Sequence, residues 1–222
     1  RRIMTSRNGG SPLDTSMAEF AGRRVAEMVE KTLIGVETGI QFGPTSTSDT
    51  RYDGTSKVYG YTNAPGRITK TDLTTPTGSN PEAVKQDIIE MREQMYALGY
   101  YGPFVVYHTP AYDAFLDDDY FRTGATTGAM AKTLRQRVME IEGITAVRRL
   151  DFWNSTSPSA YQLLMVQLTP DWIQAINGMD ITLVQWDSQG GMRKNWKVMC
   201  IHLPIIKREF NGNSPVLHAT TA

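Results

Sequence analysis

The chain has 222 residues, which is enough to bury a core in one large domain or two small ones. The chain has 23 basic residues (Lys and Arg) and 23 acidic residues (Asp and Glu), so its formal net charge is zero. This balance argues against a protein whose whole surface binds nucleic acid. It also lowers the electrostatic repulsion between copies that opposes self-association. The single cysteine, Cys200, excludes an intramolecular disulfide framework and a cysteine-based zinc site, and its apolar surroundings predict a buried, unreactive thiol. No apolar run reaches the ~18–20 residues of a membrane span.

The first predicted element is a long amphipathic helix. N-cap candidates at Asp14–Ser16 precede MAEFAGRRVAEMVEKTLIGVE, residues 17–37, in which apolar residues recur at i, i+3 and i+4. Charged residues fill the other face, where Glu27 and Lys31 form an i, i+4 pair. The chain opens RRIMTSRNGG without an initiator Met, so we expect a processed product or the later part of a longer polypeptide.

The segment from Gly39 to Gly78 is dense in Gly, Pro, Ser, Thr and Asp. This composition predicts irregular, turn-rich structure with at most short strands. A structureless loop of this length is unusual inside a compact domain. We therefore expect the segment to be functional, extended, or held in place by a neighbour.

A second helix is predicted from SNPEAVKQDIIEMREQMYALGYYG. Asn80 is the expected N-cap, Pro81 takes the first helical position, and Gly99 closes the end. The next residues, FVVYH, are rich in β-branched and aromatic side chains and predict a strand over 104–108. TPAYDAFLDD then predicts a short helix with Thr109 as its cap.

The remaining elements fix the fold class. A third long helix is predicted over residues 127–142, and four strands are predicted over 144–150, 161–169, 179–187 and 195–210, the last two joined by the hairpin signal SQGG. Helices come mostly first and strands mostly last, without regular βαβ alternation. This order favours an α+β fold over a doubly wound sheet.

The obvious acid–base candidate is His108 with Thr109 and Asp113. A catalytic triad needs a nucleophile on a strained turn and an oxyanion site, and the sequence has no GxSxG-like elbow. Helix capping by itself accounts for Thr-Pro-x-x-Asp at this position. We therefore interpret His108 as a packing residue.

Metal and phosphate sites find little support in the sequence. The run Asp117–Asp119 lacks the DxDxDG spacing that converges carboxylates on a cation, and is better explained as a solvated turn. His108, His202 and His218 lie far apart without HxxxH or HExxH spacing. The glycine-rich GATTGAM, residues 124–130, lacks the lysine and the preceding strand of a phosphate-binding loop.

Paired basic residues near tryptophans are the candidates for nucleic-acid binding. They sit on different predicted elements and have acidic neighbours, which argues against one specific groove. The pairs are Arg23-Arg24, Arg148-Arg149, Arg193-Lys194 and Lys207-Arg208, and the tryptophans are Trp153, Trp186 and Trp196.

The order of the elements resembles the tailed-phage major capsid proteins of the Hong Kong 97 type, whose fold the encapsulin shells share. AGRRVAEMVEKTLIGVETGI resembles the spine helix of that family and the loop after it, and YGYTNAPG resembles the short segment that follows. GYYGPFVVYHTPAYDAFL and MEIEGITAVRRLD resemble the strand, small helix and helix-to-strand step of the axial domain. The resemblance covers about residues 14–210 and rests on order and spacing rather than on one motif.

The resemblance implies an α+β fold of the Hong Kong 97 type with an axial domain, a peripheral domain and a long spine helix. It assigns residues 1–13 to the end of an N-terminal arm and E-loop region, and 14–78 to the peripheral domain with the spine helix and an extended loop. Residues 79–178 would form mainly the axial domain, and 179–222 the closing strands that return to the peripheral domain.

The implied function is that of a structural, non-catalytic major capsid protein. It would self-assemble through pentamers and hexamers into an icosahedral phage shell around double-stranded DNA, assembled in the host cytoplasm and located in the virion. Expected partners are further copies of the chain, portal, scaffold or decoration proteins, and packaged DNA through non-specific contacts, with no membrane partner. No catalytic, cofactor-binding or metal-binding residue and no cofactor is expected.

Two alternative functions remain at this stage. One is an encapsulin nanocompartment shell that encloses cargo enzymes, which the same family resemblance implies. The other, from a different class, is a small α+β hydrolase that uses His108.

Overall fold

The computed structural model describes residues 16–35, 58–120, 132–153, 160–190 and 193–221. The helices in these residues are α1 (Ser16–Ile34), α2 (Pro81–Ala97), α3 (Asp113–Leu116) and α4 (Leu134–Met139), with a 3-10 turn at Pro110–Tyr112 before α3. The strands are β1 (Ile68–Leu73), β2 (Phe104–His108), β3 (Ile144–Arg149), β4 (Gln162–Gln167), β5 (Ile173–Ser188), β6 (Arg193–Ile206) and β7 (Val216–Thr221).

The chain divides into two compact units. Residues 31–175 and 204–222 form the core unit, and residues 1–30 and 176–203 form the hairpin unit. The boundaries fall within α1, β5 and β6. The mixed helices and strands confirm the predicted α+β class.

The core unit is built on a five-stranded mixed sheet with the order β1-β7-β4-β2-β3. β1 runs parallel to β7, and β2 runs parallel to β3. The central strand β4 is antiparallel to both of its neighbours, β2 and β7. Two parallel pairs are therefore joined through one antiparallel strand.

Every residue of β4 is buried. Successive side chains of a strand point to opposite faces of the sheet. Leu163 and Met165 accordingly pack in one apolar cluster, while Leu164 and Val166 pack in a second cluster with Trp153. The sequence QLLMVQ shows no polar alternation because both faces of this strand are covered.

Helix α2 covers the first of these clusters. Its buried side chains Val84, Ile88, Met91 and Met95 recur at helical spacing and form one apolar face. Pro81 stands in the first turn and Asn80 occupies the N-cap position as predicted, but the Asn80 side chain makes no hydrogen bond to the helix. Instead, Asn80 Oδ1 accepts from the Thr77 amide and Nδ2 donates to the Thr75 carbonyl.

The segment YGYTN closes the C-terminal end of α1. The last carbonyls of a helix have no partner within the helix. The amides of Tyr61 and Thr62 donate to the carbonyls of Leu33 and Ile34, each at 2.9 Å, and the Thr62 hydroxyl also donates to Ile34. Because the chain must approach the helix closely here, Gly60 lies directly against its last turn.

The hairpin unit contains most of β5 and β6, which pair as a two-stranded sheet. Their short connection permits only an antiparallel pair. Gln189 and Gly190 at the turn adopt positive φ values of 53° and 65°. This confirms the predicted hairpin, although β5 starts at Ile173, earlier than the predicted residue 179.

Some elements differ from the sequence-based expectations. The third helix, predicted over 127–142, is described as Leu134–Met139, because Thr133 and Gln136 form a reciprocal capping box that starts it there; residues 121–131 lie outside the described part. β1 falls in the segment predicted to be irregular with short strands, and β7 was not predicted. Among the described helices, none combines the length and apolarity needed to span a bilayer.

Replacement of Gly60 by alanine tests the close approach at the end of α1. The new Cβ would lie 2.4 Å from both the Gly35 amide nitrogen and the Thr32 carbonyl oxygen, so backbone must move. We expect the free energy of unfolding to fall by roughly 2–4 kcal/mol in chemical denaturation. Gly22→Ala is the control, because a Cβ there meets nothing within 4 Å, and it should raise stability by up to ~1 kcal/mol. Equal effects of the two changes would contradict this account.

Candidate functional site

His108 is fully buried at the end of β2, beside the central strand β4. Its Nδ1 donates to the Thr109 carbonyl at 3.0 Å, and its Nε2 lies 3.9 Å from Oδ1 of Asp113. Nε2 has no hydrogen-bond partner among the described residues. Burial lowers the pKa of the imidazole, which outweighs the hydrogen bond to Thr109, so the ring is neutral near pH 7.

The Thr109 hydroxyl is bound to backbone groups at the start of β4. It donates to the Ala160 carbonyl at 2.7 Å and accepts from the Gln162 amide at 3.4 Å. Thr109 occupies the N-cap position of the turn that follows, as predicted, but its side chain makes no capping hydrogen bond there. Pro110 does stand at the first position of that turn. Thr109 therefore joins the end of β2 to β4.

Asp113 lies between two arginines. Its Oδ1 accepts from Arg135 Nη2 at 2.7 Å, and its Oδ2 accepts from Arg149 Nη1 at 2.6 Å. The same guanidinium groups also bind Asp117 and Asp151, at 2.8 and 2.6 Å. Three aspartates and two arginines thus alternate in one ion-pair network that links α3 to α4 and the end of β3.

The two arginines determine the charge state of Asp113. Burial would raise the pKa of this carboxyl, but the hydrogen bonds from Arg149 and Arg135 outweigh it and hold the pKa below its usual value. The carboxylate is therefore ionised and already paired. The structure does bring together His108, Thr109 and Asp113, but the carboxylate and hydroxyl of this group serve hydrogen bonds that hold the core unit together.

The acidic run at Asp117–Asp119 is exposed at the end of α3. Asp117 binds Arg135, and the Asp118 carbonyl accepts from the Leu134 amide. Asp119 forms an isolated bridge with Thr133, which brings this run beside the start of α4. Within the described ranges, no three His, Cys, Asp or Glu side chains converge as a metal site.

His218 on β7 is the second histidine beside β4. Its Nε2 donates to Oε1 of Gln162 at 2.9 Å, and its ring lies 5.7 Å from the ring of Trp153. Burial, with a smaller effect from Arg67, lowers the pKa of His218 to about 4. This imidazole is also neutral near pH 7.

The other predicted candidates are dispersed. Arg24 pairs with Glu27 on α1, and Arg149 belongs to the ion-pair network. GATTGAM, residues 124–130, lies outside the described residues, as do the side chains of Arg193 and Lys194. Cys200 is half-buried rather than buried as predicted, since it lines an open cleft of about 220 Å³ in the hairpin unit, together with His202 and Met179 of that unit.

An exposed apolar surface on β5 is the feature that the motif search misses. Ile181 and Leu183 point to one face of the strand and are 46% and 50% exposed, while Val184 and Trp186 point to the other and are 37% and 47% exposed. The signal was present in MDITLVQWD, where apolar residues occupy both alternating sets. A two-stranded sheet cannot bury two apolar faces by itself.

Comparison with known proteins bears on the fold. No family model and no curated protein matches this sequence. The capsid chain of Myoviridae phage XM1 is similar over 100% of this chain and 69% of its own length, with a TM-score of 0.66 and 12% identity. This chain therefore has a mixed α+β fold similar to that capsid chain.

Two further solved structures are more distant. The virus-like particle from Pyrococcus furiosus matches 69% of this chain and 56% of its own, with a TM-score of 0.49 and 18% identity. The capsid of cyanophage P-SCSP1u matches 96% of this chain and 67% of its own, with a TM-score of 0.44 and 12% identity. The chain thus spans just over half the length of the Pyrococcus chain.

Replacement of Asp113 by asparagine tests the ion-pair network. It leaves two guanidinium groups without their shared carboxylate, so we expect the free energy of unfolding at pH 7 to fall by about 1–3 kcal/mol. Because the pKa of Asp113 is lowered in the fold, its stabilising contribution is present above the unfolded pKa and is lost as pH falls through the folded pKa. The exposed Asp171, changed to asparagine, is the control and should leave stability within about 0.5 kcal/mol. A pH-independent effect of Asp113→Asn would argue against the network.

The two buried histidines beside β4, His108 and His218, should make the free energy of unfolding decrease at acidic pH. The unfolded chain takes up protons near the ordinary histidine pKa of 6.5, whereas folded His218 does so only at about 4, so stability is complete above pH 6.5 and falls toward pH 4. For His218 this loss is on the order of 3 kcal/mol, and His108, whose pKa is also lowered, adds to it. His218→Gln should flatten the acid side of the stability–pH curve from chemical denaturation. An unchanged curve in His218→Gln would refute the assignment.

Proposed function

We propose that this chain is a major capsid protein of the Hong Kong 97 type, which self-assembles into an icosahedral phage shell around double-stranded DNA. The observation that carries the proposal is the similarity of the whole chain to the phage XM1 capsid chain. In this assignment α1 is the spine helix. Residues 14–78 and the closing strands from 179 form the peripheral domain, and residues 79–178 form mainly the axial domain.

The surface of the hairpin unit supports a shell role. The apolar side chains exposed on both faces of β5 need cover that the described residues do not provide. A formal net charge of zero imposes little long-range repulsion between copies. Many weak, repeated heterologous contacts between identical subunits can close into a shell.

The finer parts of the proposal concern partners and location. Subunits would surround five-fold and six-fold axes as pentamers and hexamers. Portal, scaffold or decoration proteins would complete the particle, and its inner wall would touch DNA without sequence preference. The protein would assemble in the host cytoplasm and reside in the virion.

The hydrolase alternative has weaker physical support. His108 is enclosed, its Nδ1 is bound to a backbone carbonyl, and its Nε2 faces a carboxylate that two arginines hold. The nearby hydroxyl of Thr109 donates to the Ala160 carbonyl rather than to the imidazole. We therefore propose a structural role for the cluster.

Electron microscopy and light scattering of the purified full chain test the proposal. We expect closed particles of uniform size over some range of salt, pH and protein concentration. Monodisperse monomers under all of these conditions would contradict the shell role. Particles isolated from their natural source should hold nuclease-protected double-stranded DNA, whereas a co-purifying enzyme in DNA-free particles would favour the nanocompartment.

A further inference from the structure

Within the described residues, the β5–β6 ribbon has two edges without a neighbouring strand. In the described part of the chain, each of these two strands pairs only with the other, so one edge of each strand has no hydrogen-bonded neighbour. β5 alone runs for 16 residues, roughly 50 Å, which is far longer than an average strand. A long free edge is a ready template for pairing with another chain.

The only charged residues of β5 are Asp180 and Asp187, whereas β6 contains Lys194, Lys197 and Pro204, so β5 is the less protected of the two edges. Natural edge strands are commonly protected by lysine or proline, and β5, with the sequence IQAINGMDITLVQWDS, contains neither and has no arginine. Thirteen of its 16 residues are exposed, and only Ile173, Met179 and Ser188 are half-buried. The strand is built to be covered rather than to remain in solvent.

The distribution of exposed apolar residues on β5 indicates from which side a partner would contact this strand. Leu183 and Ile181 lie on one face of β5, and Trp186, Val184 and Ile176 lie on the other. A partner that packs on one face would leave the other in water. A strand added at the edge places its own side chains beside both faces at once.

The charges of the two strands are complementary. β5 carries Asp180 and Asp187 and no basic residue, whereas β6 carries Arg193, Lys194 and Lys197 and no acidic residue. The side chains of Asp180, Asp187 and Lys197 are exposed. Two β5 edges would repel each other, and two β6 edges would do the same, but a β5 edge and a β6 edge attract.

We propose that β5 of one copy pairs edge to edge with β6 of the next copy, so that the ribbons of neighbouring subunits join into a continuous sheet. The contact is heterologous, because it uses two different edges, and such contacts propagate around rings. The inference rests on the proposed shell function and names the surface by which neighbouring subunits meet. Its partner is a second copy of this chain.

Two charge-reversal variants test the pairing. One carries Asp180→Lys and Asp187→Lys, and the other carries Lys194→Glu and Lys197→Glu. In each variant alone, the two paired strands carry net charges of the same sign, so we expect the yield of particles in electron microscopy to fall at least tenfold. An equimolar mixture restores opposite charges between copies, although not within either chain, and should recover particles that contain both variants.

The matched control separates edge pairing from net charge. The variant Glu93→Lys with Asp171→Lys has the same net charge as the β5 variant but changes exposed residues elsewhere. By itself it should assemble with normal yield, because both of its ribbon edges are unaltered. A loss of particles in this control as large as in the β5 variant, or normal assembly of either edge variant alone, would overturn the pairing while leaving the shell function intact.

Amide hydrogen exchange on the unaltered chain provides a second test that does not depend on the folding of the variants. On assembly, the outward N–H groups of β5 acquire carbonyl partners, so exchange across residues 173–188 should slow at least tenfold. Unchanged exchange in β5 within assembled particles would overturn the proposal. A chain that never assembles would instead overturn the shell function together with it.

Discussion

The central strand β4 has all six residues buried, so both faces of the sheet must be covered by apolar side chains. On one face α2 supplies Met91 and its neighbours, and on the other Trp153 and the end of α1 supply the cover. α2 and the end of α1 come from distant regions of the chain. The requirement to cover both faces of β4 therefore determines where these two helical segments and the flanking strands lie.

The burial of β4 also determines the state of the polar groups next to it. His108 and His218 lie on the two neighbours of β4, where burial keeps both imidazoles neutral. Asp113 holds Arg135 and Arg149 over the end of β2, outside the apolar cluster. We therefore interpret His108, Thr109 and Asp113 as polar residues at the edge of a tightly packed sheet. The side-chain oxygens of Thr109 and Asp113 already have partners within the fold.

The hairpin unit differs from the core unit because its long strand β5 is exposed rather than buried. Its two strands are paired with each other alone in the described structure, and β5 exposes apolar side chains on both faces. A sheet of two strands gains little stability by itself. The core unit covers its own apolar side chains, whereas the described part of the hairpin unit leaves those of β5 exposed. In the proposed shell, contact with another copy would cover them, so stability and assembly would depend on different surfaces.

The amino-acid sequence by itself determined helix α1 (Ser16–Ile34), the helix after Asn80, the strand FVVYH and the final hairpin, because periodicity, proline, glycine and β-branching act over a few neighbouring residues. It also placed His108 near Asp113, since only five positions separate them. Only the tertiary structure decided that β1 and β7 pair, that Arg135 and Arg149 meet at Asp113, and that Thr109 binds the Ala160 carbonyl. These contacts join residues that are far apart in the chain. They contribute to stability only after the burial of β4 has brought those residues together.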